Sequence, residues 1–161
     1  MGRLALTYDE GRRLLVAAVM ISAKGSSAAP DAAHALPVEM LFDTGSSVSS
    51  MSEETAALLG IATDRLDRRM TGGIGGIKTA PVIRGVSVWL VPDSGEAREI
   101  QLPEVLLWEN TVDERTSRHG PLRQTGTRRM AGVNLLGLDA LRVLGGKLTV
   151  GGNPLSGQLE W

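Results

Sequence analysis

The apolar stretches of this chain are short, and glycine, proline or small polar residues close nearly all of them, so the chain is limited to a fold of strands and turns. Arg3 to Tyr8 alternates, "DEG" turns, and Arg13 to Ser22 returns, which predicts a hairpin. "AKGSSAAPDAAHALP", residues 23–37, is small and polar and reads as a mobile loop. Val38 to Phe42 is a third strand, and Val82 to Val91 and Arg98 to Leu107 form another pair around "PDSGEA". Residues 109–130, polar throughout, read as a second mobile loop. "VNLLG" is strand-like, and "KLTV" and "LSGQLEW" close a last hairpin across "GGNP". Two short helices interrupt the strands. Ser50 stands three residues before Glu53, a capping-box spacing, ahead of "ETAALLG" with Gly60 as the stop. "LDALRVL" ends at Gly145. The sum is an all-β domain with one or two short helices, occupying residues 1–161 as one unit.

Composition removes several functions. The chain is 42% hydrophobic and 22% charged with a net charge of −1, so no electrostatic field favours nucleic acid or an anionic membrane as partner. It has no cysteine, which excludes disulfides, thiolate nucleophiles and cysteine-bound metals. His34 and His119 lie in polar, loop-like sequence, so neither a metal site nor a Ser-His triad is expected, and no cofactor is implied. The apolar run Leu14 to Ile21 is too short to span a bilayer and lacks a signal-peptide layout. The default compartment is cytoplasmic.

The chemistry concentrates in "MLFDTGSSVSS", Met40 to Ser50. A buried strand delivers Asp43 into a turn of Thr44, Gly45, Ser46 and Ser47. Gly45 permits a tight turn that brings amides to the carboxylate, and the hydroxyls offer hydrogen bonds. A plain Asx turn would use the same residues. Two further motifs bear on the choice: "TGGIGGI" between Arg69 and Lys78, and "NLLGLDAL", Asn134 to Leu141.

Together, and in this order, the three motifs resemble the retropepsin-like aspartic proteases over residues 38–150. The resemblance implies an acid-protease barrel that is half of a two-fold homodimer, acting on an extended peptide or protein substrate. Asp43 would be the catalytic carboxylate. Thr44 would lock the two active-site loops across the axis, Gly45 would contact substrate, and Ser46 would hydrogen-bond the Asp43 carboxylate. Gly73, Ile74 and Gly75 would form the tip of a flap, with Ile74 donating its N–H to a substrate-bridging water. Val133 would line a side-chain pocket. Hydrolysis of this type needs two carboxylates sharing one proton around a water. The chain carries a single Asp-Thr-Gly, and its other Asp residues, Asp139 apart, lie in turns, loops or helix flanks, so the second carboxylate has to come from a second copy.

Other readings stand beside this one. "GGIGG" could cradle a phosphate, but no helix start or lysine-hydroxyl pair follows it. "LLGLDAL" packs a core at least in part, and Asp139 reads as a helix-start residue. A dimer of the same fold without activity, serving as a peptide-binding or assembly module, is the alternative from a different class. The loops at 23–37 and 109–130 have no counterpart in small retroviral enzymes.

Overall fold

The strand Leu14–Ser22 organises the molecule, and its sequence shows why. "LLVAAVMIS" is apolar almost throughout because both of its edges are paired, the face of Leu15, Ala17, Val19 and Ile21 is buried, and most of the other face is partly covered. In the computed structural model, which describes residues 2–11, 13–22, 35–73, 76–93, 96–108 and 133–161, this strand is β2. One edge pairs with β3 (Leu36–Phe42) from Leu15↔Phe42 to Ile21↔Leu36. The other edge serves two partners. Its first residues pair with β1 (Arg3–Asp9), and its last, Val19 to Ser22, pair with β6 (Gly76–Leu90). The handover falls at Ala17 and Ala18, whose small side chains let the strand change neighbours, and Ala17 is fully buried there.

The β2–β6 pairing closes a ring. Around it run β2, β3, β8 (Asn134–Leu136), β4 (Ser50–Ser52), β7 (Arg98–Trp108) and β6, each bonded to the next. The contacts β3–β8 and β4–β7 are parallel, the rest antiparallel. Closure leaves none of the six as an open edge along its bonded length, the usual solution to unpaired strand amides. Outside the ring, β5 (Arg68–Gly73) extends β6 into a hairpin, and β1, β10 (Ser156–Glu160) and β9 (Lys147–Gly151) extend β2.

The core fills the ring. Val19, Ile21, Met40, Phe42, Ile83, Val88, Leu102 and Leu136 all turn inward with at most 5% exposure. Each such side chain contributes about 1.5–3 kcal/mol relative to water. Two helices plug the structure: α1 (Glu53–Leu58) follows β4, and α2 (Leu138–Leu144) follows β8. Leu144 and Ala140 carry α2 into the same core.

Several sequence expectations shift. The third strand begins at Leu36, not Val38. The helix cap is Ser52, not Ser50: Ser52 Oγ accepts from Thr55 N at 3.2 Å. Ser50 is unable to start a helix because its backbone is already paired with Leu106 and Leu135 as strand. Glu53 and Glu54 do lie in the first turn, where they favour the helix dipole, and Gly60 follows with φ +69°. The glycine-rich segment belongs to a regular hairpin, β5 pairing with β6 from Arg68↔Pro81 to Gly73↔Gly76. Exposed ion pairs brace its base: Arg69 to Glu104 at 2.7 Å, and Arg84 to Asp67 at 2.6 Å. The hydrogen bond and charge of Asp67 hold the Arg84 guanidinium above its usual range, so it stays cationic. The expected loops at 23–37 and 109–130 lie outside the described residues, except for residues 35–37. Among the described residues no helix is long and apolar enough to cross a membrane.

Candidate active site

Asp43 leaves β3 one residue beyond Phe42, and the parallel neighbour fixes its height. Its N–H donates to Leu136 O at 3.0 Å, one step past the Phe42↔Leu136 pair. The chain then turns. Ser46 N donates to Asp43 O at 3.1 Å, and Gly45 N donates to Asp43 Oδ1 at 2.8 Å. The Asx turn is therefore present, and it serves to orient the carboxylate. Gly45 is not in the left-handed region, so the turn does not demand glycine on conformational grounds. Proximity does: a Cβ on Gly45 would stand 3.1 Å from Asp43 Oδ1. Asp43 is half-buried, while Thr44 and Gly45 are exposed. Among the described residues no hydrogen bond reaches Asp43 Oδ2.

Ser46 differs from expectation. Its hydroxyl donates to Val48 O at 2.7 Å, and a hydroxyl has one proton to give, so it does not donate to the Asp43 carboxylate. Ser46 stabilises the loop, and Gly45 N is the donor that reaches Asp43.

The loop from Asp43 to Ser49 rests on the start of α2. Leu138 N donates to Ser46 O at 2.8 Å. Gly137, the helix cap, has no side chain with which to cap, and its N–H donates to Ser49 Oγ at 3.0 Å. Asp139 accepts from Ser49 twice, at Oδ2 from the N–H (2.9 Å) and at Oδ1 from the hydroxyl (2.7 Å), and Oδ1 also accepts from Ala140 N at 2.9 Å. At the helix start the amides of Gly137 and Leu138 thus go to the Asp43 loop, and that of Ala140 goes to Asp139 Oδ1 and Gly137 O. Gly137 has to be glycine for this fit, because a Cβ would lie 2.8 Å from Val48 C and 2.9 Å from Ser46 O. On the far side, Ser49 O accepts from Leu106 N at 3.0 Å, and Asn134 Oδ1 accepts from the buried Ser52 N–H at 3.0 Å.

Sequence reasoning did not pick out Ser49, and it gave Asp139 only a place at a helix start. The available signal was the Asp in "LLGLDAL", two residues after a glycine that opens a helix without a side-chain cap. Of the expected flap residues, Gly73 ends β5, whereas Ile74 and Gly75 lie outside the described residues. Val133 is 8% exposed and packs with Leu41 and Leu135 against Leu14 and Val16. By strand alternation this small cluster lies on the opposite face of β3 from the main core, which takes Met40 and Phe42. Among the described residues no group of His, Cys, Asp and Glu assembles a metal site.

The fold is shared with a known protein. A crystal structure of a retropepsin-like aspartic protease from Rickettsia conorii superposes with a TM-score of 0.59, covering 99% of this chain and 91% of that one at 14% identity. Identity that low establishes the fold alone. No curated protein sequence matches the chain. The sequence pattern of the family described as aspartyl protease matches residues 32–140, a span that includes the Asp43 loop, β4 to β8 and the start of α2. With most of its length matched and the retropepsin-like barrel in place, the chain belongs to the aspartyl protease family.

Proposed function

We propose that the protein is an aspartic endopeptidase that works as a homodimer, with one Asp43 from each copy. The observation that carries this reading is the state of Asp43: a half-buried carboxylate oriented through Oδ1 by Gly45 N, with no hydrogen bond to Oδ2 among the described residues. A carboxylate oriented in this way by its own turn is prepared for a second carboxylate and a water.

Two such groups brought together share one proton, because like charges at contact disfavour double ionisation. The ionised member takes a proton from the water as its oxygen attacks the scissile carbonyl carbon. The protonated member gives its proton to the carbonyl oxygen. Collapse of the tetrahedral species breaks the C–N bond as the carboxyl that took the water's proton gives it to the leaving nitrogen and the other carboxylate takes a proton back from a hydroxyl of the tetrahedral species. Thr44, exposed beside Asp43, would meet its counterpart across the axis. The β5–β6 hairpin would act as the flap, with Ile74 at its tip and Gly73 and Gly75 beside it. Met70 and Ile77 are 68% and 75% exposed. The pairs Met70↔Thr79 and Gly72↔Ile77 put both on one face of the hairpin. That face would contact aliphatic side chains of an extended peptide.

The test is peptide-library cleavage by the purified chain beside Asp43→Asn. Cleavage should vanish in the variant while its melting temperature and sedimentation stay as in the parent. Mixing parent with excess Asp43→Asn should depress activity beyond dilution, because mixed dimers lack one reacting carboxylate. Undiminished cleavage by Asp43→Asn would refute the assignment. A folded parent dimer that binds peptides and cleaves none would identify a binding module.

A further inference from the structure

The loop that carries Asp43 has three anchors on residues 136–139. Two are backbone to backbone, from Asp43 N to Leu136 O and from Leu138 N to Ser46 O. The third is made by side chains, and it is the most fully bonded of the three. Asp139 holds Ser49 through both carboxylate oxygens, while Ser49 Oγ accepts from Gly137 N. Ser49 is 0% exposed, so water does not replace these bonds. The donor count is closed. The Ser49 hydroxyl has one proton, and it goes to Asp139; the amides of Ser49, Gly137 and Ala140 each have an acceptor. An aspartate at this helical position would ordinarily serve its own first turn, yet one of its oxygens is given wholly to Ser49, and the other is shared between Ser49 and Ala140.

We propose that Asp139 is a positioning residue of the active site, whose two-oxygen grip on Ser49 fixes the Asp43 loop on α2 and so sets where the Asp43 carboxylate stands. It touches neither substrate nor reacting atoms. The inference rests on the protease reading for its effect on rate, but its effect on the loop is independent of that reading. Removing one carboxylate oxygen is enough to break the grip. In Asp139→Asn the amide NH2 faces either the Ser49 N–H, donor against donor, or the pair of donors at Oδ1. The loop then keeps its two backbone anchors and only one of the two carboxylate-type contacts to Ser49. Misplacement of a reacting group by about 1 Å costs on the order of 100-fold in rate.

The experiment compares the full chain with Asp139→Asn, Ser49→Ala and the double variant, at concentrations where sedimentation shows the same assembly state. The expected result is a fall in kcat of roughly 10- to 100-fold with KM within about threefold, because the bonds of the grip join residues 49, 137, 139 and 140, none of them on the β5–β6 hairpin. The double variant should be little worse than Asp139→Asn alone, since the two residues act as one unit. Amide exchange supplies the readout that needs no activity. Ser46 and Ser49 should lose protection in Asp139→Asn while amides of β2, β6 and β7 keep theirs. Parent-like exchange through residues 43–49, or a loss spread equally over the barrel, would overturn the proposal. Should Asp139→Asn fail to fold, Ser49→Ala, which keeps the backbone bond to Oδ2, decides by the same two readouts. If the parent cleaves no peptide, the protease reading fails, and the exchange result alone decides whether Asp139 positions the loop.

Discussion

Replacing Gly137 by alanine should damage the active site from beneath. The backbone of Gly137 is at φ −91° and ψ −172°, extended geometry that any residue adopts, so the substitution carries no conformational strain of its own. The obstacle is contact. The new Cβ would meet Val48 C at 2.8 Å and the carbonyl oxygens of Ser46 and Val48 at 2.9 Å, where ordinary contact begins near 3.4 Å. The loop and the helix start therefore have to separate by about 0.5 Å, and every atom in the way is backbone, so no side-chain rotation relieves it. Overpacking of this kind costs about 1–3 kcal/mol. For a domain of this size that lowers the melting temperature by about 2–12 °C. The separation displaces the Asp43 turn by a similar distance. If a misplacement of about 1 Å costs on the order of 100-fold, half of it costs about tenfold in kcat/KM. The assay is thermal unfolding and peptide hydrolysis of Gly137→Ala beside Gly151→Ala. An added Cβ at Gly151 meets nothing within 4 Å, so that control should stay within about 0.5 kcal/mol of the parent. A Gly137→Ala protein with parental melting and parental kcat/KM would show that the loop does not rest on the helix start as described.

Two serines separated by one residue should respond in opposite ways. Ser52→Ala removes the cap of α1 and leaves the buried Thr55 N–H without its acceptor, so urea unfolding should show a loss of about 1–2 kcal/mol. Ser50 is 3% exposed, and its Oγ has no partner among the described residues, so Ser50→Ala should be neutral or stabilising by up to about 1 kcal/mol. A larger loss for Ser50→Ala than for Ser52→Ala would return the cap to Ser50. Trp89→Phe removes the indole N–H that reaches Ser22 Oγ at 3.3 Å and shrinks a side chain at the β2–β6 seam, and it should cost about 1–3 kcal/mol in the same assay.

Strands with strong patterns were legible in the sequence, and so was the turn that carries Asp43. β2 announces itself by a continuous apolar run, and β7 by alternation. β4 does not: "SMS" is three residues long, and only its partners on either side make it a strand. Its existence moved the helix cap by two residues, because serine looks the same as a strand residue and as a cap. The first half of β6 and all of β5 carry mostly glycine, threonine and basic residues, with Met70 and Ile77 too isolated in sequence to show an alternation, and pairing with each other is what defines them. At the site, local sequence gave Asp43, Thr44, Gly45 and Ser46 as one turn. It did not give the destination of the Ser46 hydroxyl, which depends on a carbonyl two residues on. Nor did it give the Ser49–Asp139 grip, which spans residues ninety positions apart. A helix-start aspartate and an aspartate reaching across the fold read identically in one dimension.

The insertion of β8 between β3 and β4 has a consequence for the order in which the molecule is made. Residues 134–136 leave the ribosome long after β3 and β4, yet they occupy the space between those strands and complete the ring. A nascent chain that stops short of them presents two open strand edges, the condition under which chains pair with one another instead of with themselves. Closure then depends on contacts distant in sequence, such as Met40 with Asn134, which places folding in the slow range typical of such topologies, ~10⁻³ to 1 s. Asp43, Ser46 and Ser49 all receive their anchors from residues 136–139 in that same late event. During synthesis the chain therefore carries the Asp-Thr-Gly motif for most of its length before it carries a site.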